Sequence, residues 1–166
     1  RNNHIIHNND RLYLDDLDTY PLPARQLLEM DKYRTSKLGT RSISSVLTSR
    51  GCPYQCSFCA SSKLAGTAWR AKSVDSIIAE IELVNDTYGY QAVAFVDDNF
   101  TLNPQRVIDI CNRIIERGLD IHWWCFTRGD TIVRNPEMVS LMYEAGCRST
   151  YIGIESSNQA TLDSYK

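Results

Sequence analysis

From residue 43 onward, short unbroken apolar runs alternate with longer stretches in which apolar positions recur every three or four residues. The runs at 43–48, 92–96, 121–126 and 150–154 have the length and continuity of strands buried on both faces, the pattern of a parallel sheet. Between the first two, Val74, Ile77, Ile78, Ile81, Val84 and Tyr88 define the buried stripe of a helix, with Ser73 placed to cap it and Gly89 to stop it. The next interval repeats the device. Asn103 caps, Pro104 occupies the first turn, Val107, Ile108, Cys111, Ile114 and Ile115 form the stripe, and Gly118 closes it. A third helix opens at Asn135 and Pro136, carries Met138, Leu141, Met142 and Ala145, and ends at Gly146. Four strands joined by three helices of this length predict right-handed βαβ units and an α/β fold with an all-parallel sheet.

Residues 1–42 follow neither pattern. A polar start gives way to acidic Asp15, Asp16 and Asp18, then to Pro21 and Pro23 one residue apart. Each proline fixes its own φ and keeps its predecessor extended, which predicts a wrapping arm or linker. His4 and His7 flank two isoleucines but have no third ligand nearby, so a solvated arm is the expected reading.

Composition narrows the function classes. A chain of 166 residues makes one domain that buries about two thirds of its unfolded surface. A net charge of -2 without a basic run gives no footprint for nucleic acid or for an anionic membrane. No apolar segment is long enough to span a membrane and no secretory leader is visible, so six cysteines point to a reducing cytoplasm rather than a disulfide framework. The chain starts without methionine and is expected to be a piece of a longer protein.

The candidate chemistry lies directly after the first strand, where Cys52, Cys56 and Cys59 stand at C-x3-C-x2-C spacing. Three soft ligands so close together make a metal site, and the local fourth ligand is missing. A cubane held by three thiolates keeps one iron open for a substrate or cosubstrate. The alternative is a non-catalytic iron-sulfur or zinc module, such as a zinc knuckle that borrows His122 or another cysteine; it requires a fourth ligand. Cys111, Cys125 and Cys147 sit in apolar surroundings without metal spacing and are expected in the core. Every predicted strand also ends in polar residues: Ser49 and Arg50, then Asp97, Asp98 and Asn99, then Thr127, Arg128 and Asp130, then Glu155 and Ser156. In a barrel-like parallel sheet those ends form the working face.

The cysteine spacing, with aromatic Phe58 just before the last thiol, resembles the signature of the radical S-adenosylmethionine superfamily. The resemblance implies that Cys52, Cys56 and Cys59 hold a four-iron four-sulfur cluster whose open iron chelates S-adenosylmethionine. An electron from the cluster then cleaves the sulfonium to a 5′-deoxyadenosyl radical. The stretch of Asp97, Asp98 and Asn99 resembles the one facing the methionine ammonium. Arg128, at the end of the third strand, is placed either to meet the methionine carboxylate as a bidentate partner or to form a surface ion pair with Asp130, and Glu155 and Ser156 resemble a fourth-strand stretch facing the ribose or methionine. Tyr54 and Phe58 on the loop join these as cofactor-binding residues; no side chain is assigned a catalytic role. Asp97, Asp98, Arg128 and Glu155 are expected to share one cleft facing the cysteines.

The piece from Leu12 to Tyr33, with its contiguous core from Leu17 to Arg25, resembles the connection preceding the radical domain in the cobalamin-dependent branch. The resemblance makes 1–42 a linker after a cobalamin-binding domain and 43–166 the first part of the core domain. The fold then becomes an incomplete parallel (β/α) partial barrel of TIM-like type, with four strands and three helices behind an extended N-terminal arm. It implies methyl transfer through cobalamin or related radical chemistry, an electron donor of flavodoxin or ferredoxin type and an unspecified small-molecule substrate. The piece alone is expected to be inactive or weakly active and to self-associate through the open edge of its fourth strand. Trp69, Arg70 and Lys72 resemble a recurring stretch of the family to which the sequence assigns no role.

Overall fold

The computed structural model describes residues 5–9, 11–35 and 42–165; His4 lies outside them. In chain order the strands are β1 (Ile43–Val46), β2 (Ser49–Arg50), β3 (Arg70–Ala71), β4 (Ala92–Phe95), β5 (His122–Thr127) and β6 (Cys147–Ile152). The helices are α1 (Ser61–Ala65), α2 (Val74–Glu82), α3 (Pro104–Glu116), α4 (Gly129–Arg134), α5 (Pro136–Glu144) and α6 (Gln159–Asp163). Four strands form one open parallel sheet in the order β1-β4-β5-β6, and its crossovers carry the three predicted helices α2, α3 and α5. Ser73 caps α2 by accepting from the Ser76 N–H, and Asn103 caps α3 in the same way from Arg106. Helix α2 runs on through one wide turn at Leu83–Thr87.

The helices cover one face of the sheet, with α3 packed between α2 and α5. Alternation along the strands decides which side chains they meet. Val93, Phe95, Trp123 and Cys125 join a core shared with Ile77, Ile81, Ile110, Ile114, Met138 and Met142. Phe95 stacks on Phe100 at 4.5 Å and meets Trp123 edge-on at 5.3 Å, while the Trp123 indole N–H donates to the Ala145 carbonyl at 2.8 Å. The opposite face carries Trp124, Phe126 and Tyr151 in mutual ring contact, and Phe126 and Tyr151 stay exposed.

Some element bounds differ from the sequence reading. The first strand leaves the sheet at Val46, because β2 turns to pair antiparallel with β3. Polar Arg148 and Ser149 hid the start of β6, which begins at Cys147 and shifts register opposite Trp123 and Trp124. The short helices α1, α4 and α6 join the predicted three. The arm is extended only in part: 3-10 turns at Leu17–Thr19, Arg25–Leu27 and Met30–Tyr33 flank the two prolines.

The arm is anchored along the outer edge of β1. Leu17 is buried, both Asp18 carboxylate oxygens accept from the Ser73 N–H at 3.1 Å, and the Tyr90 hydroxyl donates to the Met30 carbonyl at 2.9 Å. Arg25 donates to the Ser45 carbonyl of β1 at 2.9 Å and pairs with Glu80 of α2 at 2.8 Å. Glu80 also takes Lys72 at 2.7 Å, so one buried carboxylate faces two cations. A cavity of about 760 Å³ remains between arm and sheet, lined by Tyr20, Met30, Leu47, Arg50, Val96 and Trp124 among others.

Removing one member of a buried ion pair leaves an uncompensated charge, which costs about 3–5 kcal/mol. Glu80→Ala strands two cations, so urea unfolding should show a loss at the upper end of that range. A loss below about 1 kcal/mol, the size of a surface pair, would contradict the arm's anchoring.

Candidate metal centre

Parallel pairing puts the carboxyl ends of all four sheet strands on one side, and the cysteine loop rises there. Its two limbs are closed at the base. The Cys52 N–H donates to the Gly66 carbonyl at 3.1 Å, β2 pairs with β3, and the Lys72 N–H donates to the Thr48 carbonyl at 2.9 Å. Gly51 is required at this closure: its φ is +87°, and a Cβ there would lie 2.2 Å from the Ala68 carbonyl oxygen. Above the closure, the Cys59 N–H donates to the Cys56 carbonyl at 3.0 Å and the Ser61 N–H points at the Cys59 sulfur at 3.5 Å. The chain after β6 reaches the same loop, with the Tyr165 carbonyl accepting from the Ser57 N–H at 2.9 Å and the Tyr165 ring edge-on to Phe58 at 5.1 Å.

Cys52, Cys56 and Cys59 are all free and half-buried. Burial pushes the Cys52 thiol above its ordinary pKa, and Asp98, Cys59 and Cys56 add to the shift, so the three sulfurs and Asp98 share one electrostatic environment. No group of three or more His, Cys, Asp or Glu side chains among the described residues is drawn together as a single metal ion would need. A cubane takes each thiolate on a different iron and needs no such convergence, so the donor set fits a cluster with three protein ligands. The fourth ligands that a zinc knuckle would borrow are elsewhere. His122 begins β5 at the far end of the sheet, a strand length or roughly 20 Å away. Cys111, Cys125 and Cys147 are buried in the core, where desolvation pushes the Cys111 thiol up to about 12, that of Cys147 to about 11 and that of Cys125 higher still.

The predicted contact residues separate into groups. Asp98 is exposed and accepts from the Ser61 hydroxyl at 2.7 Å, which sets it beside the end of the cysteine loop. Arg128 lies with its guanidinium 4.0 Å from the centre of the Tyr54 ring and pairs with Asp130 at 3.1 Å. Burial acts to lower the Arg128 pKa, but Asp130, Tyr54 and Cys56 raise it on balance. Tyr54 and Phe58 are exposed. Glu155 is exposed at φ 61°, with its carboxylate folded back toward Gly153, and the Ser156 hydroxyl accepts from the Asn158 N–H.

Two predicted residues do not face the cleft. Asn99 is 4% exposed and its Oδ1 accepts from the Thr101 hydroxyl at 3.4 Å. Asp97 is fully buried and accepts from the Thr48 N–H at 2.7 Å, the Thr48 hydroxyl at 2.6 Å and the Ser49 hydroxyl. The reason is alternation: successive side chains leave a strand end in opposite directions, so Asp97 turns inward where Asp98 turns outward. Sequence reasoning placed Ser49 at the working face but missed Thr48, Ser61 and Arg106 as supports of the site; none has a distinctive spacing. The 69–72 stretch acts as a strut. Trp69 covers the Arg106 guanidinium at 5.7 Å, Arg70 stacks on Tyr13 at 4.5 Å and donates to the Ala65 carbonyl at 2.7 Å, and Lys72 pairs with Glu80. These side chains join the loop's returning limb to the arm, α2 and α3.

A family profile of the Radical SAM superfamily matches residues 46–166. The chain belongs to that superfamily. An uncharacterized methyltransferase of Pyrococcus horikoshii is 40% identical over 92% of this chain and 32% of its own length. The hopanoid C-2 methylase of Rhodopseudomonas palustris is 32% identical over 92% of this chain and 28% of its own length. The chain thus spans about a third of the length of these relatives. Among solved structures, the radical S-adenosylmethionine methyltransferase TsrM of Kitasatospora setae, determined with cobalamin and a [4Fe-4S] cluster bound, superposes at TM-score 0.71. It is 22% identical, covering 82% of this chain and 26% of that one, and the likeness concerns the fold.

The division of the six thiols can be read by alkylation of the native apo chain near pH 8. Cys56 and Cys59 should label first, Cys52 more slowly because its thiol is pushed up, and Cys111, Cys125 and Cys147 only after unfolding. Rapid labelling of Cys111 in the folded chain would contradict the assignment.

Proposed function

We propose that Cys52, Cys56 and Cys59 hold a four-iron four-sulfur cluster with one open iron, and that S-adenosylmethionine binds across it between Asp98 and Arg128. The observation that carries this reading is the placement of those two charges along the cysteine loop: Asp98 is hydrogen-bonded to Ser61 just after Cys59, and Arg128 lies over the Tyr54 ring between Cys52 and Cys56. An amino acid headgroup carries an ammonium and a carboxylate, and these side chains are complementary to both. Asp130 and the Tyr54 ring fix the Arg128 guanidinium, with Asp130 taking Nε and Nη2, which leaves other donors for a carboxylate. Tyr54 and Phe58 offer exposed rings on the loop; to Glu155 and Ser156 beyond β6 we assign the ribose or methionine side of the cosubstrate, and Asp97 supports the loop base from below.

When bound, the cluster supplies an electron to the sulfonium of S-adenosylmethionine, the chemistry that the cofactors carry. The chain's part is to hold the headgroup, keep the loop closed and exclude water. To the full-length protein we assign methyl transfer through cobalamin, or related radical chemistry, with residues 1–42 as the linker from a cobalamin-binding domain. The electron donor is of flavodoxin or ferredoxin type. The largely apolar cavity beside Arg50 has the size of a site for a small-molecule substrate. No helix among the described residues is long and apolar enough to cross a membrane, and a reducing cytoplasm suits three free thiols.

Anaerobic reconstitution of the full-length protein tests the reading. Iron and acid-labile sulfide should bind together, and Ala at Cys52, Cys56 or Cys59 should abolish the cluster's visible absorption. Asp98→Asn should keep its iron yet bind S-adenosylmethionine about tenfold or more weakly, the size of a lost hydrogen bond to a charged group. Iron retained in Cys56→Ala, or zinc at one per chain without sulfide, would end it.

A further inference from the structure

The closure beneath the cysteine loop is built from groups that neither metal binding nor headgroup recognition uses. Thr48, just upstream of Cys52, is fully buried, and each of its polar atoms is engaged. Its N–H and hydroxyl donate to the two oxygens of Asp97 at 2.7 and 2.6 Å. The Arg106 guanidinium donates through Nη2 to the Thr48 carbonyl at 2.9 Å and to its hydroxyl oxygen at 2.7 Å. The same carbonyl accepts from the Lys72 N–H on the returning limb. Ser49 adds a second hydroxyl to Asp97. One residue therefore ties together the outgoing limb, the returning limb, the end of β4 and helix α3.

Stability alone is a poor account of this arrangement. Backbone pairing of β2 with β3 and the hydrogen bond from Cys52 to Gly66 already close the loop. Asp97 and Arg106 are both buried and meet only through Thr48, and taking two charged groups out of water is a cost that apolar packing of the same volume does not carry. Among the described residues the buried Arg106 Nε and Nη1 atoms meet no hydrogen-bond partner, a further cost. What the arrangement does provide is a fixed geometry. Asp97 is joined by one peptide bond to Asp98, so the carboxylate that holds the loop base is rigidly connected to the one beside the thiols.

We propose that Thr48, clamped between Asp97 and Arg106, is a positioning residue that sets the cysteine loop against Asp98, and so fixes where S-adenosylmethionine meets the cluster. The inference rests on the cluster reading and adds to it three side chains that touch neither cluster nor cosubstrate. Trp69 and Phe100, with ring centres 5.7 and 5.8 Å from the Arg106 guanidinium, hold that side chain in place.

The test compares Thr48→Val, which keeps shape and branching but loses the hydroxyl, with Thr48→Ser, which keeps the hydroxyl. Both are made in the full-length protein. In the apo state, amide exchange across residues 52–66 should quicken about tenfold in Thr48→Val, as expected when a hydrogen bond to a charged group is lost. Exchange in α5 and β5 should stay as in the wild type. After reconstitution, iron loss to a chelator should quicken by a similar factor, and the change that S-adenosylmethionine produces in the electron paramagnetic resonance of the reduced cluster should diminish. Thr48→Ser should stay within about threefold of the wild type on each readout, since the donor and acceptor are retained. Should Thr48→Val fail to fold, Asp97→Asn replaces it with the same expectations. The proposal is overturned if Val and Ser behave alike, if exchange rises equally throughout the chain, or if the spectrum responds to S-adenosylmethionine as in the wild type. A wild-type protein that takes no cluster would instead refute the underlying reading, and loop exchange in the apo variants would still decide the clamp.

Discussion

In a parallel sheet built from right-handed crossovers every strand ends on the same side, and the organisation of this chain depends on that constraint. The strands β1, β4, β5 and β6 all run parallel, so the polar residues after them meet at one end of the sheet. The cysteine loop belongs to this set because it follows β1 closely. Asp98 from the end of β4 and Arg128 from the end of β5 arrive beside it although the three segments lie far apart in the sequence. The meeting of these two opposite charges at the loop is thus a product of topology first and of side-chain chemistry second.

Burial then decides what each polar residue does. Asp97 and Asp98 are chemically identical neighbours, yet one is fully buried under three donated hydrogen bonds and the other is exposed beside the thiols. The six cysteines divide in the same way. Three half-buried thiols share the loop, while three core thiols are held protonated by desolvation and behave as small apolar groups. Glu80 shows the same principle applied to the arm, where one buried carboxylate fixes both Arg25 and Lys72 and so connects residues before β1 to the returning limb of the loop.

The parallel sheet and its three long helices were legible in the sequence because apolar period and end signals agreed: Ser73, Asn103 and Pro104 mark helix starts that the structure reproduces. The cysteine loop was legible as a candidate metal centre because C-x3-C-x2-C has few other uses. The direction of side chains at strand ends was not, since composition cannot say which of Asp97 and Asp98 turns inward. Nor could it reveal the ribbon of β2 and β3, which is set by contacts of Thr48 and Gly51 with the limb that returns from the loop. Thr48 and Arg106 carry no local pattern at all, and their role emerges only from the distances between them.

The central claim is that the loop presents an iron with a free coordination position to the headgroup held by Asp98 and Arg128. Electron–nuclear double resonance on the reduced full-length protein, with S-adenosylmethionine labelled with heavy nitrogen at its amino group and heavy oxygen at its carboxylate, tests it most directly. Both labels should couple to the cluster spin, and the coupling should vanish when the cosubstrate is omitted. A reduced cluster that binds S-adenosylmethionine yet shows coupling to neither label would contradict the account.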